Sequence, residues 1–529
     1  MFNKNQILSL LLLVVLLIIN NWSMPLWDQD EAAYAGFGKT MIETGDYLIP
    51  DYYFSHDHRK TPLHFWDIAL SMRVFGYNEF AVRFPSFLAT LGTLLLVLFQ
   101  TRKWFGNETA FSSTVVLGTS ILVTSLAKIS VTDATLLFFS TLSGFALVNM
   151  LYEPKFKWGI YFYLGIALGL LTKGPPIIIF VGGFAGLLFL FHPNRFNLLK
   201  LHPWFFLPVS FLPVIGWGYL TIQVDGGEFL NWMYDWYVKR RVSGSVYGQT
   251  GPPGMHLGLI FGFFVLSSMY FFQSLSNGII GFFKEKNYVF VFGAWFVAGW
   301  LIYEFSPSKL PAYVIPAHVG LAILIGHRIC EYKQQQNRPH ILFTILHYLL
   351  NIAFGVALII ASKFVEINKS FTIALDIIGM LYLAAIVLQL IKYKSEIFFN
   401  IQAYSSILLL IVLWGIAPLF VEHINSSVKV SEYVLENVDE KTPVILGNAP
   451  GLQPSLPFYL SQNKNPIVIN FNLEELCQIH DTITKAAFIL NKEQDSVFRL
   501  KYPDYSSEMI SSKIIDRKES AIYYVYFKK

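Results

Sequence analysis

The 529-residue chain is 54% hydrophobic and 17% aromatic, with only 14% charged residues and a mean hydropathy of +0.48; this excludes an ordinary soluble globular protein and points to an integral membrane protein. A formal net charge of +4 spread along the chain excludes a nucleic-acid binder, whose basic residues cluster. Cys330 and Cys477, the only cysteines, offer neither a disulfide framework nor a thiolate metal cluster.

A bilayer core about 30 Å thick needs roughly 20 apolar residues per helix, and about thirteen stretches read as spans. They lie near 7–22, 82–101, 109–127, 134–152, 158–171, 175–192, 203–222, 256–275, 288–303, 310–326, 341–361, 371–391 and 401–421. With a cytoplasmic N-terminus, the inner loops carry Lys4, Arg102, Lys103, Lys155, Lys157, Arg195, Lys200 and further cations downstream. The short outer loops carry only Lys128, Lys173, Lys309, Lys363 and Lys369, and this asymmetry sets the orientation through the positive-inside rule. The first apolar run follows Lys4 as a signal peptide would, but no small-x-small cleavage site precedes Trp27, so an uncleaved helix is expected.

Three segments stand outside the spans on the outer face: a first loop over residues 23–81, a second over 223–254, and a polar region over 422–529. The expected organisation is a membrane domain over 1–421 and a small extracytoplasmic α/β domain over 422–529. In the latter, VSEYVLENV and LEELCQIH read as helices, and TPVILG, NPIVINF and SAIYYVYF as strands.

Long ordered loops between spans usually carry function. The first loop contains Asp28, Asp30 and Glu31, then AYAGFGKTMIETGDY, which reads as an interfacial helix. It continues into HDHRKTPLHFW with Arg59, Lys60 and a turn at Pro62. The acids can be helix-start residues, since negative charge favours the positive end of the helix dipole. Alternatively, a carboxylate removes a proton from a nucleophile while Arg59 and Lys60 hold a phosphate leaving group. Asp133 opens the fourth span as a cap or as a further functional acid, Lys173 in LTKGPP reads as a snorkelling lysine, and Lys309 sits between prolines in SPSKLPAYVIP at a helix mouth. His56, His58 and His64 invite a metal hypothesis, but no third ligand at metal spacing is evident, so no metal is expected.

The ordered set DEAAYA, TGDYLIP, RKTPLHFW, GYNEFAVRFPS, VTDATLLFF, LTKGP and SPSKLPAYVIP, over about residues 1–330, with SLPFYL at 455–460, resembles the bacterial branch of glycosyltransferase family 39. That branch contains the aminoarabinose transferases of lipid A and is related to the protein O-mannosyltransferases. The resemblance implies the GT-C fold: an all-α polytopic membrane domain of about thirteen helices with an outward C-terminal α/β domain. It also implies inverting transfer of a sugar from a polyprenyl-phosphate donor on the extracytoplasmic side, without a cofactor. Partners would be the lipid donor, a lipid or protein acceptor and membrane lipids, with no nucleic acid, in the bacterial inner membrane.

Carried onto this sequence, the family's catalytic acid falls on Asp30 with Glu31 beside it, and the acid of the fourth span on Asp133. The phosphate-binding lysine falls on Lys60, with Arg83, Lys309 and Tyr313 matching donor-side motifs. The family usually has arginine where Ala33 stands here, and an acid before the loop lysine where Arg59 stands; Arg59 would restore the charge. The rival class is a transporter, whose ionisable residues sit at the bilayer midplane rather than at one interface. Within the enzyme class, a protein O-glycosyltransferase is the alternative.

Overall fold

Apolar runs in lipid become helices because every backbone N–H and C=O must bond within the segment. The computed structural model describes residues 2–27, 30–53, 55–240, 250–284, 288–364, 369–424, 426–447, 453–461, 467–470, 473–511 and 522–528. Asp28 and residues 241–249 of the second outer loop lie outside the described residues.

Helices occupy all the stretches read as spans. Among the described residues, seven are long and apolar enough to cross a membrane by length and composition, or eight if the bent pair Met255–Phe263 and Val265–Gly281 is one broken span. Lys4–Ile18, Pro176–Phe191 and Val289–Glu304 are shorter apolar helices. The protein is therefore a multi-pass membrane protein. Residues 82–101 and part of 109–127 lie in two helical segments on either side of Gly106, whose φ of 79° suits glycine and breaks the helix between them.

The chain begins with α1 (Lys4–Ile18), capped by the Asn3 and Gln6 side chains, and its Leu13, Leu16 and Leu17 enter the main core. The first outer loop folds into α2 (Asp30–Thr44) and α3 (Leu63–Phe75). The sequence foreshadowed α2, whereas α3 was read as loop. After α4 (Glu79–Gly118) and the short α5 (Ile121–Leu126) come α6 (Thr132–Tyr152) and α7 (Phe156–Lys173). Then follow α8 (Pro176–Phe191), α9 (Pro203–Asp225) and, in the second outer loop, α10 (Glu228–Tyr234).

The pair Met255–Phe263 and Val265–Gly281 bends by 72°, which exposes backbone at the break. Asn351 donates its side-chain amide to the Val265 carbonyl at 3.2 Å, and the Ser268 hydroxyl meets His347 Nδ1 at 2.9 Å. From the helix Ile341–Phe364, Asn351 thus satisfies a backbone carbonyl at the break, and His347 ties the second half of the pair by its side chain.

The C-terminal region is α/β. Its five-stranded sheet has the order β2-β1-β3-β5-β4, with β1 (Val444–Gly447), β2 (Ile467–Asn470), β3 (Ala486–Leu490), β4 (Glu508–Ser511) and β5 (Ile522–Lys528). β1 runs parallel to β2 and β3, while β5 is antiparallel to β3 and β4. β1, β2 and β5 coincide with the three strands read from sequence. β3 was missed because AAFIL, buried at every position, is a short apolar run that periodicity cannot distinguish from a helix segment.

Helix crossings in the bundle rely on small residues. A Cβ added to Gly326 would collide with the backbone of Ser113 on α4, lying 2.7 Å from its Cα, whereas one added to Gly182 of α8 meets nothing within 4 Å. Gly326→Ala is expected to lower stability by about 1–3 kcal/mol through overpacking. Gly182→Ala should leave it unchanged or raise it. Thermal unfolding of both variants in the same detergent checks the contrast.

Candidate active site

Asp30 and Glu31 are adjacent in the first turn of α2, so the 3.6-residue period sends their side chains about 100° apart. Glu31 turns inward and is fully buried. Its Oε1 accepts from Arg83 Nε at 2.8 Å and from the Ser130 amide at 2.8 Å. Its Oε2 accepts from Arg83 Nη2 at 2.9 Å and from the Trp27 amide at 2.7 Å. Arg83, also buried, donates further to the carbonyls of Met24 at 2.6 Å, Pro25 at 2.8 Å and Asn21 at 3.3 Å. This is a bidentate, fully bonded ion pair. Glu31 and Arg83 therefore depart from the roles of catalytic acid and phosphate ligand: both side chains are enclosed and bound to protein groups.

Asp30 faces outward, its side chain 56% exposed. Its Oδ1 accepts from the Tyr34 hydroxyl at 2.9 Å, one helical turn on, and pairs with Lys60 Nζ at 3.4 Å. Lys60 also donates to the Tyr34 hydroxyl, closing a Lys60–Tyr34–Asp30 triangle. Desolvation by the surrounding protein opposes ionisation, but the charge of Lys60, then those of His58 and Lys173, outweigh it and hold the Asp30 carboxyl below the usual carboxylate range.

Arg59 lies over the rings of Phe229 and Trp232 from α10, at 5.0 and 4.4 Å. Its Nε donates to the His56 carbonyl at 3.1 Å, and the Tyr237 hydroxyl donates to the Arg59 carbonyl at 2.7 Å. The second outer loop thus holds the guanidinium by cation–π contact, and the nearby acids that act on it are Asp51, Glu228 and Asp57.

Asp133, near the start of α6, accepts from Lys173 Nζ at 2.6 Å. Lys173 ends α7 just before Gly174, whose φ is 76°, and lies 6.0 Å from the centre of the Tyr313 ring, which packs against Tyr303. Lys173 is therefore no snorkelling lysine but half of an ion pair. Lys309 is buried and bonds Glu304, through Oε1 at 3.0 Å and through the carbonyl. Glu304 in turn accepts from the Gly254 amide at 2.9 Å, so Lys309 closes the helix mouth rather than joining the Asp30 group.

The three histidines diverge. His56 is exposed and 3.8 Å from Asp51. His58 acts on Asp30, and its Nδ1 is a buried atom without a partner. His64 is buried between the Thr135 and Ser130 hydroxyls, both at 3.2 Å, where burial and then Lys60 lower its pKa to about 3. Among the described residues, no three His, Cys, Asp or Glu side chains are grouped to hold a metal.

Sequence reasoning missed Tyr34, His58 as a neighbour of Asp30, and the Phe229–Trp232 shelf. Tyr34 was detectable as the fourth residue after Asp30 on one helix. The shelf had its signal in the aromatic density of NWMYDWY.

A family model described as dolichyl-phosphate-mannose-protein mannosyltransferase matches residues 59–219. An undecaprenyl phosphate-alpha-4-amino-4-deoxy-L-arabinose arabinosyl transferase of Proteus mirabilis is 26% identical over 396 residues, covering 71% of this chain and 70% of its own. A protein of the same description from Pseudomonas fluorescens is 26% identical over 386 residues, covering 69% of this chain and 67% of its own. The crystal structure of ArnT from Cupriavidus metallidurans bound to undecaprenyl phosphate superposes with a TM-score of 0.78 at 18% identity, covering 99% of this chain and 98% of that one. The fold is that of the GT-C membrane glycosyltransferases. Within that fold, the chain is similar in sequence to glycosyltransferases of the family-39 type.

Removing one side of a buried pair leaves an uncompensated charge. Arg83→Met should therefore destabilise the protein by about 3–5 kcal/mol, measured as loss of thermal stability. A second expectation concerns pH. Lys60 favours the ionised form of Asp30, so Lys60→Met removes a lowering influence and the carboxyl pKa rises. The acid limb of the pH–rate profile should move to higher pH in that variant. An unmoved limb would mean that Asp30 does not govern it.

Proposed function

We propose that the protein transfers a sugar from a polyprenyl-phosphate carrier to an acceptor on the extracytoplasmic face of the bacterial inner membrane. The acceptor is lipid A or another envelope glycan. The observation that carries this reading is the exposed Asp30 paired with Lys60, whose sequence neighbour Arg59 is held on an aromatic shelf. The named activity of the curated relatives, which use undecaprenyl phosphate-linked 4-amino-4-deoxy-L-arabinose, supports the donor class. We place the catalytic domain over residues 1–421 with its N-terminus in the cytoplasm, and the α/β domain over 422–529 outside.

In this mechanism the acceptor's hydroxyl or amine attacks the anomeric carbon from the face opposite the phosphate. The bond from that carbon to the phosphate oxygen breaks, and the configuration inverts. Asp30 takes the nucleophile's proton, while Lys60 and Arg59 neutralise the departing polyprenyl phosphate. A carboxylate held low by Lys60 is a weak base on its own. Once the donor phosphate draws on Lys60, less positive charge bears on Asp30 and its basicity rises towards the useful range. Asp133 and Lys173 add a second balanced pair near the same interface, and Glu31 and Arg83 position the α2 start.

The description of the matching family model favours one second reading, a protein acceptor, and a peptide arm in the assay distinguishes it. Purified protein in lipid should move aminoarabinose from undecaprenyl phosphate to lipid A, read by mass spectrometry. Asp30→Asn should lower the rate by about 10²–10⁴-fold, the usual contribution of a general base, while retaining the fold. Transfer to peptide and not to lipid A would replace the acceptor. Near-normal turnover by Asp30→Asn would remove Asp30 from the chemistry.

A further inference from the structure

The C-terminal domain reaches into the first outer loop through residues 453–461. The Tyr459 hydroxyl accepts from the Leu26 amide at 2.7 Å, with both groups buried. The Tyr52 hydroxyl donates to the Pro454 carbonyl at 3.1 Å, and the buried Lys39 ammonium donates to the Ser461 carbonyl at 3.2 Å. Phe458 and Tyr459 share one apolar cluster with Leu26, Ala32, Ala33, Tyr34 and Phe37. The cluster thus spans two regions that lie more than 400 residues apart in sequence.

Leu26 stands between two residues held by the buried ion pair. The Pro25 carbonyl accepts from Arg83 at 2.8 Å, and the Trp27 amide donates to Glu31 at 2.7 Å. Three consecutive residues just ahead of α2 are therefore fixed, the outer two by α2 and α4 and the middle one by the C-terminal domain. Tyr34, which bonds Asp30, packs in the same cluster. The geometry points to Tyr459 as a positioning residue for transfer: through this hydroxyl, the C-terminal domain sets the path of the chain into Asp30. Burial raises the Tyr459 pKa well above its ordinary value, so the phenol stays neutral and the contact persists across the working pH range.

The inference rests on the reading of Asp30 as the base. Tyr459→Phe keeps the ring in the cluster and removes only the acceptor, which weakens the hold on a buried amide. In the full-length protein in lipid nanodiscs, this variant should lose about tenfold in kcat, as expected for misplacement of the reacting group, with KM for the polyprenyl-phosphate donor unchanged. Amide hydrogen exchange should quicken in a peptide covering residues 22–31. Tyr526→Phe is the control for domain stability, because the Tyr526 hydroxyl bonds Asp495 inside the C-terminal domain at 2.5 Å; its kcat should match the unmodified protein. The inference is overturned if Tyr459→Phe leaves both kcat and exchange unchanged, or if Tyr526→Phe lowers kcat equally. If the unmodified protein uses no polyprenyl-phosphate sugar while exchange at 22–31 still responds to Tyr459→Phe, the functional reading fails and Tyr459's role in transfer falls with it. The contact itself would then stand as structural.

Discussion

The buried pair of Glu31 and Arg83 is the interaction on which the candidate site depends. Moving two charges out of water costs several kcal/mol per ion even after relaxation, and attraction alone rarely offsets that. Here the carboxylate also accepts the Trp27 and Ser130 amides, and the guanidinium also donates to three carbonyls between Asn21 and Pro25. The pair therefore stitches the chain leaving α1, the start of α2, α4 and the turn before α6 into one unit. Asp30 has a defined position because its neighbour is immobilised.

Two adjacent carboxylates thus have opposite fates. Glu31 is enclosed and serves the fold; Asp30 faces outward and is the base in the proposed transfer. The candidate site holds two acid–base pairs, Asp30 with Lys60 and Asp133 with Lys173, and Lys173 is close enough to act on Asp30. Balanced pairs of this kind keep the empty site near neutrality, yet leave lysine charge that a phosphate can compete for. A transporter would place its ionisable groups near the bilayer midplane at broken helices. The break here, at Met255–Phe263 and Val265–Gly281, is met instead by Asn351 and His347 of the helix Ile341–Phe364.

Much of this architecture could be read from the chain. Apolar runs marked the helices, the first loop's acids and cations marked the candidate site, and three of the five strands were visible. The role of each charge was not legible. No local pattern says which of Asp30 and Glu31 turns inward, since that depends on Arg83, 52 residues away. The partner of Lys173 is likewise set by how α6 and α7 pack. α3 escaped notice because HFWDIALSMRVF is too short and mixed to read as a span, and its His64 is satisfied only by hydroxyls about 70 residues downstream. Arg59 gained a setting from aromatics of a different loop, which sequence distance conceals.

The central claim is that the lipid phosphate meets the protein at Lys60 and Arg59. The most direct measurement is a structure of the full chain in lipid with undecaprenyl phosphate bound. The account predicts phosphate oxygens within hydrogen-bond distance, about 2.7–3.2 Å, of Lys60 Nζ and the Arg59 guanidinium, with Asp30 open to the acceptor side. A phosphate seated instead against Lys309 at the Glu304 mouth, with Lys60 still bound only to Asp30 and Tyr34, would contradict it.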